Sequence, residues 1–261
     1  MEKLFVIKIG GQVIDDKQAL QSFLSAFASL QAKKLLVHGG GKIATRVGDA
    51  LGIRSKYEHG RRITDDDTID LVTMVYGGLV NKKIVAQLQS MGCNALGLTG
   101  ADANILPAIK RPVKQTDYGW VGDLSKPGCE QVKTFVENGL TPVVAPLTHD
   151  GLGHILNTNA DTIASTLAVG LSAYYHVRLM YCFEKPGVLE DVNDKGSVIT
   201  EMDPGKYARL LKENRLFEGI IPKLDNAFEA IRDGVKEVLI GDAGDLLKNA
   251  GDKTSGTLIT A

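Results

Sequence analysis

The sequence predicts an α/β fold, a three-layer αβα sandwich around a mainly parallel, open sheet. Short apolar runs typical of buried strands recur along the 261 residues, and stretches with apolar residues at helical spacing lie between them. This alternation indicates βαβ units, whose parallel strands are covered by helices on both faces. Ligands of such sheets bind beyond the carboxyl ends of the strands. The predicted strands are residues 4–9, 34–39, 94–100, 140–147, 177–183 and 236–241.

Composition argues against several classes of protein. The chain has 30 lysines and arginines against 31 acidic residues, so no overall basic field favours nucleic acid. The three cysteines form no CxxC pair, which argues against a disulfide framework and a zinc site and predicts reduced core thiols. Neither a signal-peptide pattern nor an apolar run of membrane-spanning length is visible, which predicts a cytoplasmic protein.

The domain organisation predicted from the sequence is two lobes on one continuous sheet. No internal repeat and no linker rich in proline, glycine or serine separates them. We place the boundary near residue 176, which gives lobes 1–176 and 177–261. The polar, irregular stretches 108–128 and 185–205 are predicted as hairpins or lids.

The first predicted strand carries a lysine near its end, Lys8, shortly before Gly10 and Gly11. A buried ammonium group without a negative partner is costly. Glycines at the carboxyl end of the strand allow the backbone to approach a ligand closely. We therefore expect an anion there.

A second glycine-rich turn, residues 39–41, separates the second predicted strand from a predicted helix. A tight turn accounts for one of these glycines. Three in a row, before a helix whose N-terminus carries partial positive charge, favour an anion site built from backbone N–H groups.

Three known motifs compete for this turn, and each fails on its context. The dinucleotide pattern GxGxxA needs an acidic residue ending the next strand, where Glu58 in a polar run is the sole candidate. The esterase motif HGGG lacks a GxSxG nucleophile elbow in this chain. A Walker A loop needs a glycine five positions before Gly41 and a Ser or Thr after Lys42, and neither is present. Any phosphate is therefore expected to bind without a P-loop.

The stretch LNTNADTIASTLAVGL predicts a helix with Asn157 or Asn159 as its cap and Asp161 in its first turn. A carboxylate at that place complements the helix dipole, which is worth about 0.3 to 1 kcal/mol. A role in a ligand site is the alternative interpretation, and the pattern alone leaves both open.

The stretch FEGIIPKLDNAFEAIRDG predicts a second helix, with Pro222 at its first position and Gly234 after its end. Lys223 lies in the first turn, where a cation opposes the helix dipole. A solvated surface lysine is the ordinary explanation. An anion bound at this terminus is the alternative that accounts for the position.

Two arginines, Arg61 and Arg62, precede Thr64 and Asp65, which have the pattern of a helix cap. Most arginines near caps are solvated. A guanidinium beside a glycine-rich turn can instead bind a carboxylate through two parallel hydrogen bonds.

Six short motifs, in this order, closely resemble the amino-acid kinase family, and within it the branch whose members phosphorylate N-acetylglutamate. They are KIGG at 8–11, VHGGGKI at 37–43, GRRIT at 60–64, LVNKK at 79–83, LNTNADTIA at 156–164 and GIIPKLDNA at 219–227. The resemblance extends from the first strand to GTLI at 256–259. It implies transfer of the γ-phosphoryl group of ATP, with Mg²⁺ held through the nucleotide phosphates, to a side-chain carboxylate in arginine biosynthesis.

The resemblance also implies roles for individual residues. In the catalytic set, Lys8 and Lys223 would face the transferring phosphoryl group and Asp161 would hold those lysines in place. In the acylglutamate set, Arg62 would bind the α-carboxylate. The remaining acylglutamate residues are Gly40, Gly41 and Asn157, and the nucleotide residues are Gly10, Gly11, Glu184, Lys185 and Gly187. The lobe 1–176 would then bind acylglutamate and dimerise, and the lobe 177–261 would bind ATP.

Several alternatives stay open at this point. The chain has Phe183 and Glu184 where the family usually has Thr-Asp or Ser-Asp, which leaves the nucleotide contacts open and makes a non-catalytic sensor an alternative. N-succinylglutamate is an alternative acceptor, and aspartate, glutamate or carbamate are more distant ones. Arginine-inhibited hexamers of the family carry an additional N-terminal helix that this chain lacks, so we expect an arginine-insensitive homodimer.

Overall fold

The structure is a computed structural model that describes residues 1–191, 193–194, 196–216 and 220–261. The described chain forms two units, one made of Met1–Lys34 and Ala164–Ala261 and the other of Leu35–Ile163. The functional lobes 1–176 and 177–261 stay a prediction. Gly219, the first residue of the GIIPKLDNA motif, lies outside the described residues, as do residues 217 and 218.

Helices and strands alternate along the described chain. The helices are α1 (Gly11–Asp15), α2 (Lys17–Ser29), α3 (Gly41–Leu51), α4 (Asp66–Val72), α5 (Asn81–Ser90), α6 (Cys129–Glu137), α7 (Ala160–Leu171), α8 (Pro204–Lys212), α9 (Ile221–Arg232) and α10 (Leu246–Ala250). The strands are β1 (Lys3–Ile9), β2 (Lys33–His38), β3 (Lys56–Glu58), β4 (Arg61–Ile63), β5 (Ala95–Leu98), β6 (Ala108–Lys110), β7 (Gly122–Leu124), β8 (Thr141–Val144), β9 (Leu147–His149), β10 (Ile155–Asn157), β11 (His176–Phe183), β12 (Glu201–Met202), β13 (Glu237–Asp242) and β14 (Thr257–Ile259). A π-helical segment, Thr73–Val80, joins α4 to α5.

The first unit is built on strands in the order β12, β14, β13, β11, β1. Strands β1, β11 and β13 are parallel, and β14 is antiparallel to β13. The apolar side chains of β1 are buried, as expected for a parallel strand covered on both faces. In the register of β1 and β11, Lys8 lies opposite Tyr181 and Ile9 lies opposite Cys182.

The second unit contains the parallel strands β2, β8 and β5, in that order. Three antiparallel hairpins are added to them, formed by β3 and β4, by β6 and β7, and by β9 and β10. The stretch 108–128, predicted as a hairpin or lid, contains the hairpin of β6 and β7. The glycine turn follows β2 and leads directly into helix α3, so the turn and the start of α3 lie at the carboxyl end of that strand.

The predicted elements compare closely with the observed ones. Each of the six predicted strands is present within a few residues, and α9 begins at Ile221, one residue before the predicted start. The sequence also has Leu71, Val75, Leu79 and Val80 at helical spacing, which predicts one buried helix face. This prediction is correct only in part, because residues 73–80 form wider π turns and Leu79 is 38% exposed. The three cysteines are free and buried, which confirms the predicted core thiols.

No helix in the described part of the chain is long and apolar enough to cross a membrane.

Candidate active site

The end of β1 brings a lysine and a glycine to the edge of the first unit. Lys8 is half-buried, and the backbone N–H of Gly10 donates to the carbonyl oxygen of Cys182 at 2.8 Å. A Cβ atom on Gly10 would lie 3.3 Å from the Cβ of Phe183, so a side chain there would crowd β11. Gly10 therefore fixes the backbone where β1 meets α1, and Gly11 begins that helix.

Lys223 occupies the first turn of α9, as the sequence predicts. Its Nζ lies 6.0 Å from the ring centroid of Tyr181 and 6.0 Å from that of Phe183. Both distances are at the outer limit for a cation–π contact, and both rings are on β11. The ammonium group therefore lies over the carboxyl-terminal end of β11.

Lys8 and Lys223 lie on the same face of the first unit. Because Lys8 is the register partner of Tyr181, its side chain leaves the sheet on the same face as the Tyr181 ring. The Lys223 ammonium group lies over that ring. Two cations that are more than 200 residues apart in the sequence thus lie on one face of the first unit. They are close to the carboxyl ends of the parallel strands β1 and β11. This is the placement expected for an anion site.

The predicted nucleotide residues follow β11. Glu184 is exposed, Lys185 is half-buried and Gly187 is buried. A Cβ atom on Gly187 would lie 2.9 Å from Thr257 Oγ1, whose oxygen accepts a 2.8 Å hydrogen bond from the N–H of Val188. The structure therefore gives Gly187 a packing role, and nucleotide contact at this loop stays a prediction.

The glycine turn of the second unit has a conformation that requires glycine at its centre. Gly40 has φ +151°, a value that side-chain-bearing residues rarely adopt. A Cβ atom there would also lie 3.1 Å from the Tyr76 ring. Gly41 begins α3, so its N–H is among the helical donors that lack an intrahelical partner. The predicted anion site at residues 39–41 therefore has suitable backbone geometry.

Arg62 leaves β4 and is held beside this turn. Its guanidinium donates to the carbonyl oxygen of Gly41 at 3.0 Å, to Thr45 Oγ1 at 2.9 Å and to the Ser55 hydroxyl. Its Cζ lies 4.9 Å from the ring centroid of Tyr57. The side chain is buried, with 7% of its surface exposed, so the alternative of a solvated arginine is wrong.

The partners of Arg62 are electrically neutral. Among the described residues, no carboxylate forms a salt bridge with its guanidinium. Burial raises the pKa of the Tyr76 hydroxyl, and the Arg62 charge opposes that shift, which indicates that the two groups are close. A buried guanidinium whose recorded partners carry no negative charge is well suited to bind a carboxylate ligand.

Asn157 ends β10 and contacts Thr64, which follows β4. Its Nδ2 donates to Thr64 Oγ1 at 3.0 Å, and its backbone N–H donates to the Trp120 carbonyl oxygen at 2.8 Å. Asn159 is the cap of α7, since its Oδ1 accepts from the N–H groups of Asp161 and Thr162 at 2.8 and 3.1 Å. Asn157 is therefore the last residue of a strand and not the helix cap, which leaves it available for ligand binding. Asp161 lies in the first turn of α7, as predicted.

Sequence analysis missed several side chains that shape this site. Tyr76 contacts the glycine turn, and Tyr57 and Thr45 surround the Arg62 guanidinium. Sequence analysis gave no role to His38, which lies directly before the turn. Tyr76 lies on the π-helical segment, so helical spacing gave no signal for its direction.

No group of three or more His, Cys, Asp or Glu side chains suited to a metal occurs in the described ranges.

Fold and geometry together define an α/β protein with candidate anion sites at the carboxyl ends of parallel strands. The amino acid kinase family model matches residues 3–242, and the chain belongs to that family. It is 54% identical to the acetylglutamate kinase of Cytophaga hutchinsonii over 100% of both chains, and 52% identical to that of Bacteroides thetaiotaomicron over 97% of this chain and 98% of the relative. The solved structure of smu.665 from Streptococcus mutans UA159 superposes with a TM-score of 0.78 at 28% identity, covering 99% and 98% of the chains. The predicted fold class is confirmed.

Proposed function

We propose that the protein transfers the γ-phosphoryl group of ATP to the side-chain carboxylate of N-acetylglutamate, which activates that carboxylate for arginine biosynthesis. Two relatives named acetylglutamate kinase support this, because they are 54% and 52% identical to the chain over nearly complete lengths. The structural observation that carries the proposal is the buried Arg62 guanidinium beside the glycine turn, surrounded by neutral hydrogen-bond acceptors. It suits the α-carboxylate of an acylated amino acid.

The reaction needs positioning and charge stabilisation more than proton transfer. A glutamate side chain has a reference pKa of about 4.3, so the acceptor is already ionised at neutral pH and requires no general base. One carboxylate oxygen forms a bond to the γ-phosphorus while the bond from that phosphorus to the ADP oxygen breaks. The difficulty is the repulsion between a polyanionic nucleotide and a dianionic acceptor.

Lys8 and Lys223 supply the positive charge for this step. This role is supported by the position of both residues on one face of the first unit, Lys8 near the end of β1 and Lys223 over Tyr181 of β11. In the proposal, their charges stabilise the charge that develops on the migrating phosphoryl group. Mg²⁺ would be bound through the nucleotide phosphates, as is usual for a kinase, and would neutralise part of their charge. The orienting role of Asp161 stays a prediction.

Binding of the two substrates is assigned as the sequence predicts. Gly40, Gly41, Arg62 and Asn157 bind acylglutamate in this proposal. Gly10, Gly11, Glu184, Lys185 and Gly187 bind the nucleotide. The division into an acylglutamate-binding and dimerising lobe, 1–176, and an ATP-binding lobe, 177–261, belongs to the same proposal.

An acceptor panel tests the function. ADP release is followed with N-acetylglutamate, N-succinylglutamate, glutamate and aspartate, and hydroxylamine traps any acyl phosphate as a hydroxamate. We expect N-acetylglutamate to give the highest kcat/KM and one hydroxamate per ADP. Faster turnover of N-succinylglutamate would move the assignment to that acceptor. Nucleotide binding without any hydroxamate would identify a sensor and reject the kinase proposal.

A homodimer, insensitivity to arginine and a cytoplasmic location are further parts of the proposal. Light scattering tests the first, where a hexamer would contradict it. Inhibition by millimolar arginine would contradict the second.

A further inference from the structure

His38, the last residue of β2, makes two directed hydrogen bonds immediately before the glycine turn. It is fully buried, and its Nδ1 lies 2.7 Å from the carbonyl oxygen of Gly39. Its Nε2 lies 3.1 Å from Nδ2 of Asn81, which also donates to the carbonyl oxygen of Val143 at 2.9 Å. The imidazole is thus held between the turn and the start of α5.

These partners determine where the imidazole carries its proton. A carbonyl oxygen can only accept, so Nδ1 carries the hydrogen that is donated to Gly39. Asn81 Nδ2 is a donor, because it also bonds to the Val143 carbonyl, so Nε2 must accept and the ring is neutral. Burial lowers the pKa of His38 to about 4, the Gly39 carbonyl opposes this shift, and the Lys82 charge adds to it.

The bond to Gly39 fixes the orientation of the next peptide group. In a trans peptide the C=O and the following N–H point in opposite directions. Because the Gly39 carbonyl points to the His38 ring, the N–H of Gly40 must point away from it. Rotation of this peptide by half a turn would break the hydrogen bond to His38 and would direct the Gly40 N–H into the protein.

Asn81 retains its two hydrogen bonds at a cost. Among the described residues its buried Oδ1 has no hydrogen-bond partner, and a buried acceptor without one destabilises the native state. A Cβ atom on Gly97 would clash with this oxygen, so the amide is enclosed on that side. The amide therefore acts through its donors, one of which holds the His38 ring.

We propose that His38, held by Asn81, is a positioning residue that fixes the Gly39 to Gly40 peptide with its N–H directed to the reacting carboxylate of the acceptor. The inference rests on the proposed function, since it assigns the turn to acylglutamate. It predicts that the Nδ1–H donor, rather than the bulk or polarity of the imidazole, sets acceptor affinity.

Two substitutions at residue 38 separate the donor from the bulk of the side chain. In His38→Asn the side-chain amide can occupy the place of Nδ1–H and still donate to Gly39. In His38→Gln the longer amide reaches the place of Nε2 and cannot. We expect the KM for N-acetylglutamate to stay within threefold of wild type in His38→Asn and to rise at least tenfold in His38→Gln, with the KM for ATP within threefold in both.

Equal acceptor KM values in the two variants, high or low, would overturn the inference, as would a parallel rise in the KM for ATP. If neither variant folds, Asn81→Leu decides: a threefold to tenfold rise in acceptor KM supports the inference and an unchanged value rejects it. A wild-type protein without turnover would refute the proposed function instead. The same comparison is then made on the Kd for N-acetylglutamate by calorimetry, and absent binding rejects both.

Discussion

The buried neutral imidazole of His38 should lower the free energy of unfolding at mildly acidic pH. Its pKa is lowered from 6.5 to about 4 in the native state, mainly by burial. Between these two values the unfolded chain binds more protons than the native one, so the free energy of unfolding falls as the pH falls through this window. The full shift corresponds to about 3 kcal/mol, and lowering the pH from 7 to 5 removes about 2 kcal/mol of it.

The assay is urea unfolding of the wild type and of His38→Asn at pH 7 and pH 5. Trp120 is the one tryptophan in the sequence and lies in the same unit as His38, so its fluorescence reports the unfolding of that unit. Other titrating groups contribute equally to both proteins, and their effect cancels in the comparison. We expect the wild type to lose about 2 kcal/mol more than the variant. Equal losses would refute the neutral, buried state of this imidazole.

Further predictions concern catalysis, the turn and acid stability. Lys8→Ala should lower kcat with little change in acceptor KM, because its charge acts mainly in the transition state, whereas Arg62→Ala should raise that KM about tenfold or more; steady-state kinetics with the reverse pattern would reject both roles. Gly40→Ala should cost about 1 kcal/mol or more in urea unfolding, since φ is +151°, while Gly78→Ala, with open space around it, should be close to neutral. An equal loss in both would contradict the strain argument. Burial raises the pKa of Glu237, but the hydrogen bond and charge of Arg178, together with the charges of Lys3 and Lys236, outweigh burial and lower it. The stabilisation from Glu237 is therefore present above its usual value of 4.5 and is lost as the pH falls below that. Glu237→Gln should therefore flatten the decline in stability below pH 4.5, and an unchanged acid profile would contradict it.

Two of the candidate site residues, Lys8 and Lys223, could be identified from local chemical conflicts in the sequence. Lys8 interrupts an apolar strand, and Lys223 opposes a helix dipole, and each conflict indicates a negative partner without reference to tertiary structure. The structure brings both to one face of the first unit. The consecutive glycines at 39–41 likewise indicated a backbone conformation that other residues rarely adopt, and Gly40 has it, with φ +151°.

Other features could not be obtained from local pattern. The partner of His38 is 43 residues away, so a histidine at a strand end gives no sign of its hydrogen bonds. The π turns around Tyr76 change which residues share a face, and 3.6-residue spacing therefore misplaced Leu79. Asn157 and Asn159 both fit a cap, and the hairpin of β9 and β10 decides between them by ending at Asn157.

The most direct test of the account is a crystal structure with MgADP, tetrafluoroaluminate and N-acetylglutamate. Tetrafluoroaluminate takes the place of the migrating phosphoryl group between the two substrates. We predict that the Nζ atoms of both Lys8 and Lys223 lie within about 3.2 Å of its fluorine atoms or of the bridging oxygens. Either ammonium group directed into solvent, away from the transferring group, would contradict the central claim that two cations converge on it.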